Sequence, residues 1–332
     1  MTWLVTGGAG YIGGHIVSAL HDAGVSVVVL DDLSTGDAVR IPDAPLVHGS
    51  ILEGDLVTRT LRQRGITGIV HVAAKKQVEE SVHRPLYYYQ QNVEGLRVLL
   101  QAAMGAGVES FVFSSSAAVY GAPDVDVVHE DTPCSPVNPY GTTKLIGERM
   151  VAEVAAVSGM RYANLRYFNV AGAAEPRLSD PGASNLVPMV FDRLTRHLPP
   201  SVFGDDYDTP DGTCIRDFVH VADIASAHVT AASALAGGRT AALTANIGRG
   251  EGVSVQEMVQ TIRRVTGTAD QAWAEPEVSP RRAGDPARVV ASAERIEREL
   301  GWRAQWGVED MVRSAWEGWV HRDPSLRGLA SS

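Results

Sequence analysis

Lysine is nearly absent from this chain of 332 residues. Lys75, Lys76 and Lys144 stand against 26 arginines. Such a bias usually reflects nucleotide composition, yet it makes each lysine worth asking about. Basic residues as a group are also short, 29 against 39 acidic ones, for a net charge of −10. That argues against a nucleic-acid binder working through a basic surface, while leaving room for a local pocket that takes a small anion. Cysteine is scarce. Cys134 and Cys214 have no metal-binding spacing, argue against a disulfide framework and fit a reducing compartment. No apolar run reaches the roughly 20 residues of a membrane span. The ten histidines are scattered without a His-x-x-x-His pair, so no metal site is expected. The start, Met1-Thr2-Trp3-Leu4-Val5-Thr6, lacks a basic segment and runs into glycines, which predicts no signal peptide and a cytoplasmic location.

What is present is an ordinary globular composition, 45% hydrophobic and 20% charged. At roughly 150 residues per domain the length predicts about two domains. The first half alternates strand and helix patterns. Strands are predicted at Trp3–Thr6, Val25–Leu30, Pro45–Gly49, Gly68–Ala73, Glu109–Ser114 and Arg161–Phe168. Helices fall at Tyr11–Ala23, Glu53–Arg64, from Pro85 to near Gly107, and at Tyr140–Ser158. This alternation predicts an α/β fold with a parallel sheet covered on both faces. After Asn169 the texture changes. Residues 171–184 and 199–213 are rich in Gly, Pro, Ser and Asp and flank one helical segment, Leu186–Leu198. A helix at Val221–Leu235 and a strand at Leu243–Ile247 read as returning to the first domain. Helices near 254–266, 292–300 and 307–321 follow, then a frayed tail, Arg327–Ser332.

Directly after the first strand comes Thr6-Gly7-Gly8-Ala9-Gly10-Tyr11-Ile12-Gly13-Gly14. Gly7, Gly10 and Gly13 let the backbone turn tightly and approach a pyrophosphate, and the following helix start offers free N–H groups. Between a strand and a helix this spacing reads as a dinucleotide loop. The second strand ends in Asp31-Asp32, about 20 residues on. A carboxylate there bonds ribose hydroxyls and repels a 2′-phosphate, which favours NAD over NADP.

Tyr140 and Lys144 lie four apart at the start of a predicted helix and so share a face. An ammonium beside a phenol favours the phenolate, a base near neutral pH. Nine tyrosines and three lysines in this length give about 0.08 such pairs by chance. Ser114-Ser115-Ser116 ends a strand at the edge that faces ligands in open α/β sheets. Ser116 is placed to bridge a substrate hydroxyl and the Tyr140 oxygen; Ser114 and Ser115 equally suit the plain end of a strand.

The glycine loop, the run Ser114-Ser115-Ser116-Ala117-Ala118-Val119-Tyr120-Gly121 and the segment Asn138-Pro139-Tyr140-Gly141-Thr142-Thr143-Lys144 resemble the extended short-chain dehydrogenase/reductase family. The stretch from Phe203 to Val221, Leu165-Arg166-Tyr167-Phe168-Asn169, Asn185-Leu186 and Pro280-Arg281-Arg282-Ala283-Gly284-Asp285 narrow the resemblance to its UDP-glucose (UDP-galactose) 4-epimerase branch, over nearly the whole chain. The resemblance implies a Rossmann-type doubly wound parallel sheet over residues 1–168, joined by 221–247. A smaller C-terminal α/β domain, 169–220 and 248–332, would bind the nucleotide sugar. It implies NAD kept through turnover, Tyr140 as base at the sugar C4 hydroxyl, Lys144 on the nicotinamide ribose and Ser116 on the C4 oxygen. It implies a 4-keto sugar that turns over while UDP stays anchored. Implied cofactor contacts, besides Tyr140, Lys144 and the loop residues Gly7, Gly10, Tyr11, Ile12 and Gly13, are Asp31, Asp32, Leu33, Ser34, Thr35, Gly36, Ser50, Ile51, Val72, Ala73, Ala74, Lys76, Asn92, Ser114 and Phe168. Implied substrate contacts, besides Ser116, are Asn169, Asn185, Ser201, Val202, Phe203, Arg216, Arg282, Asp285 and Val289. A homodimer through the helices near 85–107 and 140–158 is implied as well. From arginine content alone, Arg216 and Arg282 would read as solvated surface.

Two positions depart from the family pattern. Ser50 stands where a carboxylate usually meets the adenine, and can accept a hydrogen bond only without charge. Val289 stands at the sugar pocket where a tyrosine or a small residue is frequent. Two other readings compete. A nucleotide-sugar 4,6-dehydratase would need an acid after the serine run, where this chain has Ala117-Ala118. A non-catalytic NAD sensor on the same fold would lose the tyrosine or the lysine, and both are present.

Overall fold

The computed structural model describes residues 1–182, 185–282 and 285–326. The tail expected to fray, and Ala183, Ser184, Ala283 and Gly284, lie outside them. Seven strands form one parallel sheet: β1 (Thr2–Thr6), β2 (Ser26–Asp31), β3 (Leu46–His48), β4 (Ile66–His71), β5 (Ser110–Ser116), β6 (Arg161–Tyr167) and β10 (Ala242–Ile247). Their order is β10-β6-β5-β4-β1-β2-β3. Successive side chains of a strand point to opposite faces, and the sequence supplies apolar residues for both. Trp3, Val5 and Val29 pack on one face with α1 (Tyr11–Asp22) and α8 (Val221–Ala236). Leu4, Val28 and Leu30 pack on the other with α2 (Gly54–Gln63), α5 (Gly95–Ala106) and α6 (Pro139–Ser158). The strand order changes direction between β1 and β4, with β2 and β3 added on one side and β4, β5 and β6 on the other, so the carboxyl ends of β1, β4 and β5 open onto the crevice where such sheets bind ligands.

The predicted single helix over 85–107 is three pieces: α4 (Pro85–Tyr88), a π-helical turn over Tyr89–Glu94, and α5. It is preceded by α3 (Val78–His83). The wide turn has a side-chain cause. Buried Asn92 exchanges hydrogen bonds with the backbone of Lys75, at 2.8 and 2.9 Å, and donates to Thr143 Oγ1 at 3.0 Å. Gly107 ends α5 in the left-handed conformation, φ 72°.

Beyond Tyr167 the periodic pattern found the helices and β10 but missed the other strands. These are β7 (Asn169–Ala171), β8 (Ser201–Phe203), β9 (Ile215–His220), β11 (Gly252–Ser254), β12 (Glu277–Ser279) and β13 (Arg288–Val289). Most have two or three residues, too few for an alternating pattern to register. β9 pairs with β7, β11 and β13, and β12 pairs with β8. Helices α7 (Leu186–Thr195), α9 (Val255–Thr266) and α11 (Val308–Arg322) cover these strands around Phe191, Phe218, Ile262 and Met311. The short α10 (Glu294–Leu300) packs its Ile296 into the large sheet's core. No helix among the described residues is long and apolar enough to cross a membrane.

Candidate active site

A cleft of about 1040 Å³ runs from the glycine loop across the carboxyl ends of the strands to β8, β9 and β13. At one end lie Gly7, Gly10, Tyr11, Ile12 and Gly13. Space decides these residues. Gly7 has φ +71°, and a Cβ there would stand 2.6 Å from the Ala73 amide nitrogen. A Cβ on Gly13 would stand 2.0 Å from the Gly7 carbonyl oxygen. The loop is closed on itself, and Gly10, which precedes α1, has no side chain to occupy the first-turn amides. A helix start of this kind suits a phosphate, so the residues present fit a dinucleotide.

The two adjacent acids have different jobs. Asp31 accepts hydrogen bonds from Ala9 N at 2.9 Å and Leu33 N at 2.8 Å, tying β2 to the loop and holding Leu33 at φ 55°. Burial raises its pKa despite those bonds. For Asp32, burial raises the pKa, but hydrogen bonds from Ser34 outweigh it and the net shift is downward. Both line the cleft with Ser34, Thr35, Gly36, Ser50, Ile51, Val72, Ala73, Ala74 and Lys76. The Ser50 hydroxyl accepts from Leu52 N at 3.2 Å, so its oxygen also serves the turn into α2.

At the centre stands α6. Asn138 caps it by accepting from Gly141 N at 2.9 Å, and Pro139 opens the first turn. Tyr140 and Lys144 then fall on the buried face against β5. Lys144 Nζ donates to the Ser114 carbonyl at 2.8 Å and sits 5.1 Å from the centre of the Phe113 ring. Burial lowers its pKa to about 8, with Glu148 opposing the shift; the ammonium is still the main form at pH 7. Burial raises the Tyr140 pKa, and a hydrogen bond with the Ser116 side chain draws it back. Ser116, Tyr140 and Lys144 all face the cleft.

The far end carries the positive charge. Arg216 on β9 lies 3.6 Å from Asp285, and the Arg282 guanidinium stacks 4.0 Å over the Phe203 ring. Asn185 donates to Asp180 Oδ2 at 2.7 Å. Phe168, Asn169, Asn185, Ser201, Phe203, Arg216, Arg282, Asp285 and Val289 all line this region.

Four expected site residues are not on the cleft wall. Asn92 uses its amide on Lys75 and Thr143. Leu33 packs against the core beside the sheet. Val202 alternates away from Ser201 and Phe203 into the second core. Ser114 presents its carbonyl to Lys144 and its hydroxyl to His228. Conversely, Glu80, Tyr88, Tyr167, Asp180, Arg193 and Cys214 line the cleft without having been expected there. Tyr167 lay inside a matched motif, while Glu80 and Tyr88 come from helices whose register no local pattern reveals.

The profile of the NAD dependent epimerase/dehydratase family matches residues 3–248. The chain belongs to that family. It is 45% identical over 322 residues to a UDP-glucose 4-epimerase of Azospirillum brasilense, covering 95% of this chain and 91% of the relative. Among solved structures it resembles a UDP-glucose 4-epimerase from Stenotrophomonas maltophila with bound NAD and formylated UDP-arabinopyranose. There the TM-score is 0.93 at 38% identity, covering 98% of this chain and 99% of that one. A second neighbour, the UDP-glucose 4-epimerase of Bifidobacterium longum in complex with NAD⁺ and UDP, gives a TM-score of 0.88 at 34% identity. It covers the same shares of the two chains.

Proposed function

We propose that this chain is an NAD-dependent UDP-hexose 4-epimerase that interconverts UDP-glucose and UDP-galactose through a transient 4-keto sugar. One observation carries the reading: a single cleft joins the glycine loop, the Ser116–Tyr140–Lys144 cluster and the Arg216/Arg282 end. The loop residues, Asp31, Asp32 and Lys76 would hold NAD, which would supply reversible hydride acceptance for the sugar C4. Tyr140 takes the proton of the C4 hydroxyl, and Ser116 holds the C4 oxygen beside it. Lys144, anchored on the Ser114 carbonyl, brings positive charge to the base. Arg216 and Arg282 hold the diphosphate, where planar guanidinium groups match oxygen pairs. Inversion then needs a firm grip on the nucleotide and a loose one on the hexose. Ala117 and Ala118, next to Ser116, offer no proton donor for water loss, which speaks against a dehydratase.

In this reading residues 1–168 with 221–247 form the dinucleotide unit, and 169–220 with 248–332 form the nucleotide-sugar unit. Two free cysteines among the described residues support a cytoplasmic location. The chain forms a homodimer through the helical faces over 85–106 and 139–158, which expose Leu86, Met104 and Val157. Light scattering at micromolar concentration should give twice the chain mass; a monomer mass refutes the dimer.

The decisive experiment incubates purified protein with UDP-galactose and separates the product sugars, while absorbance follows the cofactor. UDP-glucose with no net cofactor reduction is expected; net release of NADH would mark a dehydrogenase. Tyr140→Phe should keep the fold and lose about 10²–10⁴-fold in turnover. Near wild-type turnover in that variant would overturn the mechanism.

A further inference from the structure

Behind Lys144, on the opposite face of the sheet from α6, lies a chain of buried polar groups that the proposed chemistry leaves unused. Helix α8 packs across β5 and β6 and brings His228 against the end of β5. The His228 Nδ1 is 2.8 Å from the Ile224 carbonyl oxygen. A carbonyl only accepts, so Nδ1 carries the hydrogen. Burial pushes the ring's pKa down to about 4, which leaves Nε2 bare at neutral pH. That nitrogen lies 2.8 Å from Ser114 Oγ, so the Ser114 hydroxyl donates to it. The Tyr167 side chain also lies against Ser114, and Tyr167 borders the cleft. The same Ser114 holds Lys144 Nζ through its carbonyl at 2.8 Å.

We infer that His228 is a positioning residue: through Ser114 it fixes the carbonyl on which Lys144 rests, and through Ser114 and Tyr167 it aligns the wall beside Tyr140. The inference rests on the reading of Tyr140 and Lys144 as the reacting pair. His228 touches neither. It acts by removing freedom from Ser114, whose side chain is bound from α8 and β6 while its backbone serves α6. The titratable groups facing Lys144 are Glu148 on its own helix and His71 at the end of β4. Those facing Tyr140 are Tyr88 and Tyr167. His228 faces Ser114 and the Tyr167 ring, 6.3 Å away between centroids.

A core histidine that only fills space would predict a different outcome from one that accepts a hydrogen bond. His228→Leu removes the acceptor and keeps bulk; His228→Gln returns an amide oxygen near the place of Nε2. The holoenzyme of each variant is assayed with UDP-galactose for kcat, KM and the pH dependence of kcat. For His228→Leu we expect kcat to fall about tenfold with KM within about twofold. The acidic limb of the kcat profile should move to higher pH, because Tyr140 loses a well-placed ammonium. His228→Gln should recover most of kcat and the wild-type profile. If His228→Leu folds poorly, Ser114→Ala, which keeps the carbonyl and deletes the hydroxyl, should show the same kcat loss and pH shift. Unchanged kcat and pH profile in whichever of the two folds overturns the inference, as does equal loss in the Leu and Gln variants. Tyr140→Phe in the same assay separates the two claims. An active Tyr140→Phe defeats the catalytic reading itself. An inactive one beside a wild-type-like His228→Leu defeats only the role given to His228.

Discussion

A single methyl group is too many at the mouth of the glycine loop. Gly13 has no room for a Cβ because the Gly7 carbonyl already fills that space. This constraint was legible in the spacing of the glycines. Val289 is the opposite case. It sits on β13, paired with Arg216 of β9, beside Phe168, Val119 and Ala291, and faces the cleft. In the proposed pose it walls the hexose. A valine leaves space beside the sugar C2 substituent that a tyrosine ring would fill, and an apolar wall rejects larger substrates by steric exclusion. The wild-type protein should therefore turn over UDP-N-acetylglucosamine as well as UDP-glucose. Val289→Tyr should lower kcat/KM for the N-acetyl sugar about tenfold relative to UDP-glucose. An unchanged ratio would remove this position as the gate.

Helix α6 shows how one element carries several layers of the site. Tyr140, Lys144 and Glu148 follow at four-residue intervals and share one face. The first two meet the cleft. The third is buried and forms an ion pair with Arg166 of β6 at 2.6 Å, and it accepts from Ser115 Oγ at 2.5 Å. Arg166 also donates to Tyr120 OH at 2.8 Å, which in turn donates to Asn246 Oδ1 at 2.7 Å. The network ties α6, β5, β6 and β10 together directly beneath the reacting groups. Removing one charge of such a pair leaves the other buried alone, at a cost of about 3–5 kcal/mol. Glu148→Gln should lose about that much stability in denaturant unfolding. The apolar double variant Glu148→Leu with Arg166→Met should recover part of it, because it strands no charge. A Glu148→Gln protein as stable as wild type would show that the pair contributes little. The Tyr140/Lys144 spacing was visible in the sequence, but Glu148 gained its meaning only when β6 brought Arg166 to it.

Over the whole molecule, burial has fixed the protonation of four histidines. Desolvation holds His15, His220 and His228 near pKa 4 and His71 near 3. The unfolded chain therefore takes up protons first as pH falls through about 6.5, and stability is lost from there down to about 4. At about pH 5.5 each such imidazole costs roughly 1.4 kcal/mol relative to neutral pH. Asp217 works the other way. Burial pushes it up to about 6 despite three backbone amides, so its folded form gains a proton first and adds stability as pH drops. Four histidines outweigh it, and unfolding free energy measured in denaturant should be several kcal/mol lower near pH 5.5 than near pH 7.5. Equal stability at the two values would contradict the buried neutral rings. The sequence by itself determined the parallel α/β sheet, the dinucleotide loop and the Tyr140/Lys144 pair, because these depend on strand and helix periods and on spacings within a few residues. Tertiary structure alone decided that Asp31 braces the loop and that the Asn92 amide is spent on Lys75 and Thr143. It also set the short strands around β9, which form only by pairing with distant segments. It placed His228 behind Ser114, since a contact across 114 residues depends on how α8 folds back onto the sheet and leaves no local pattern to read.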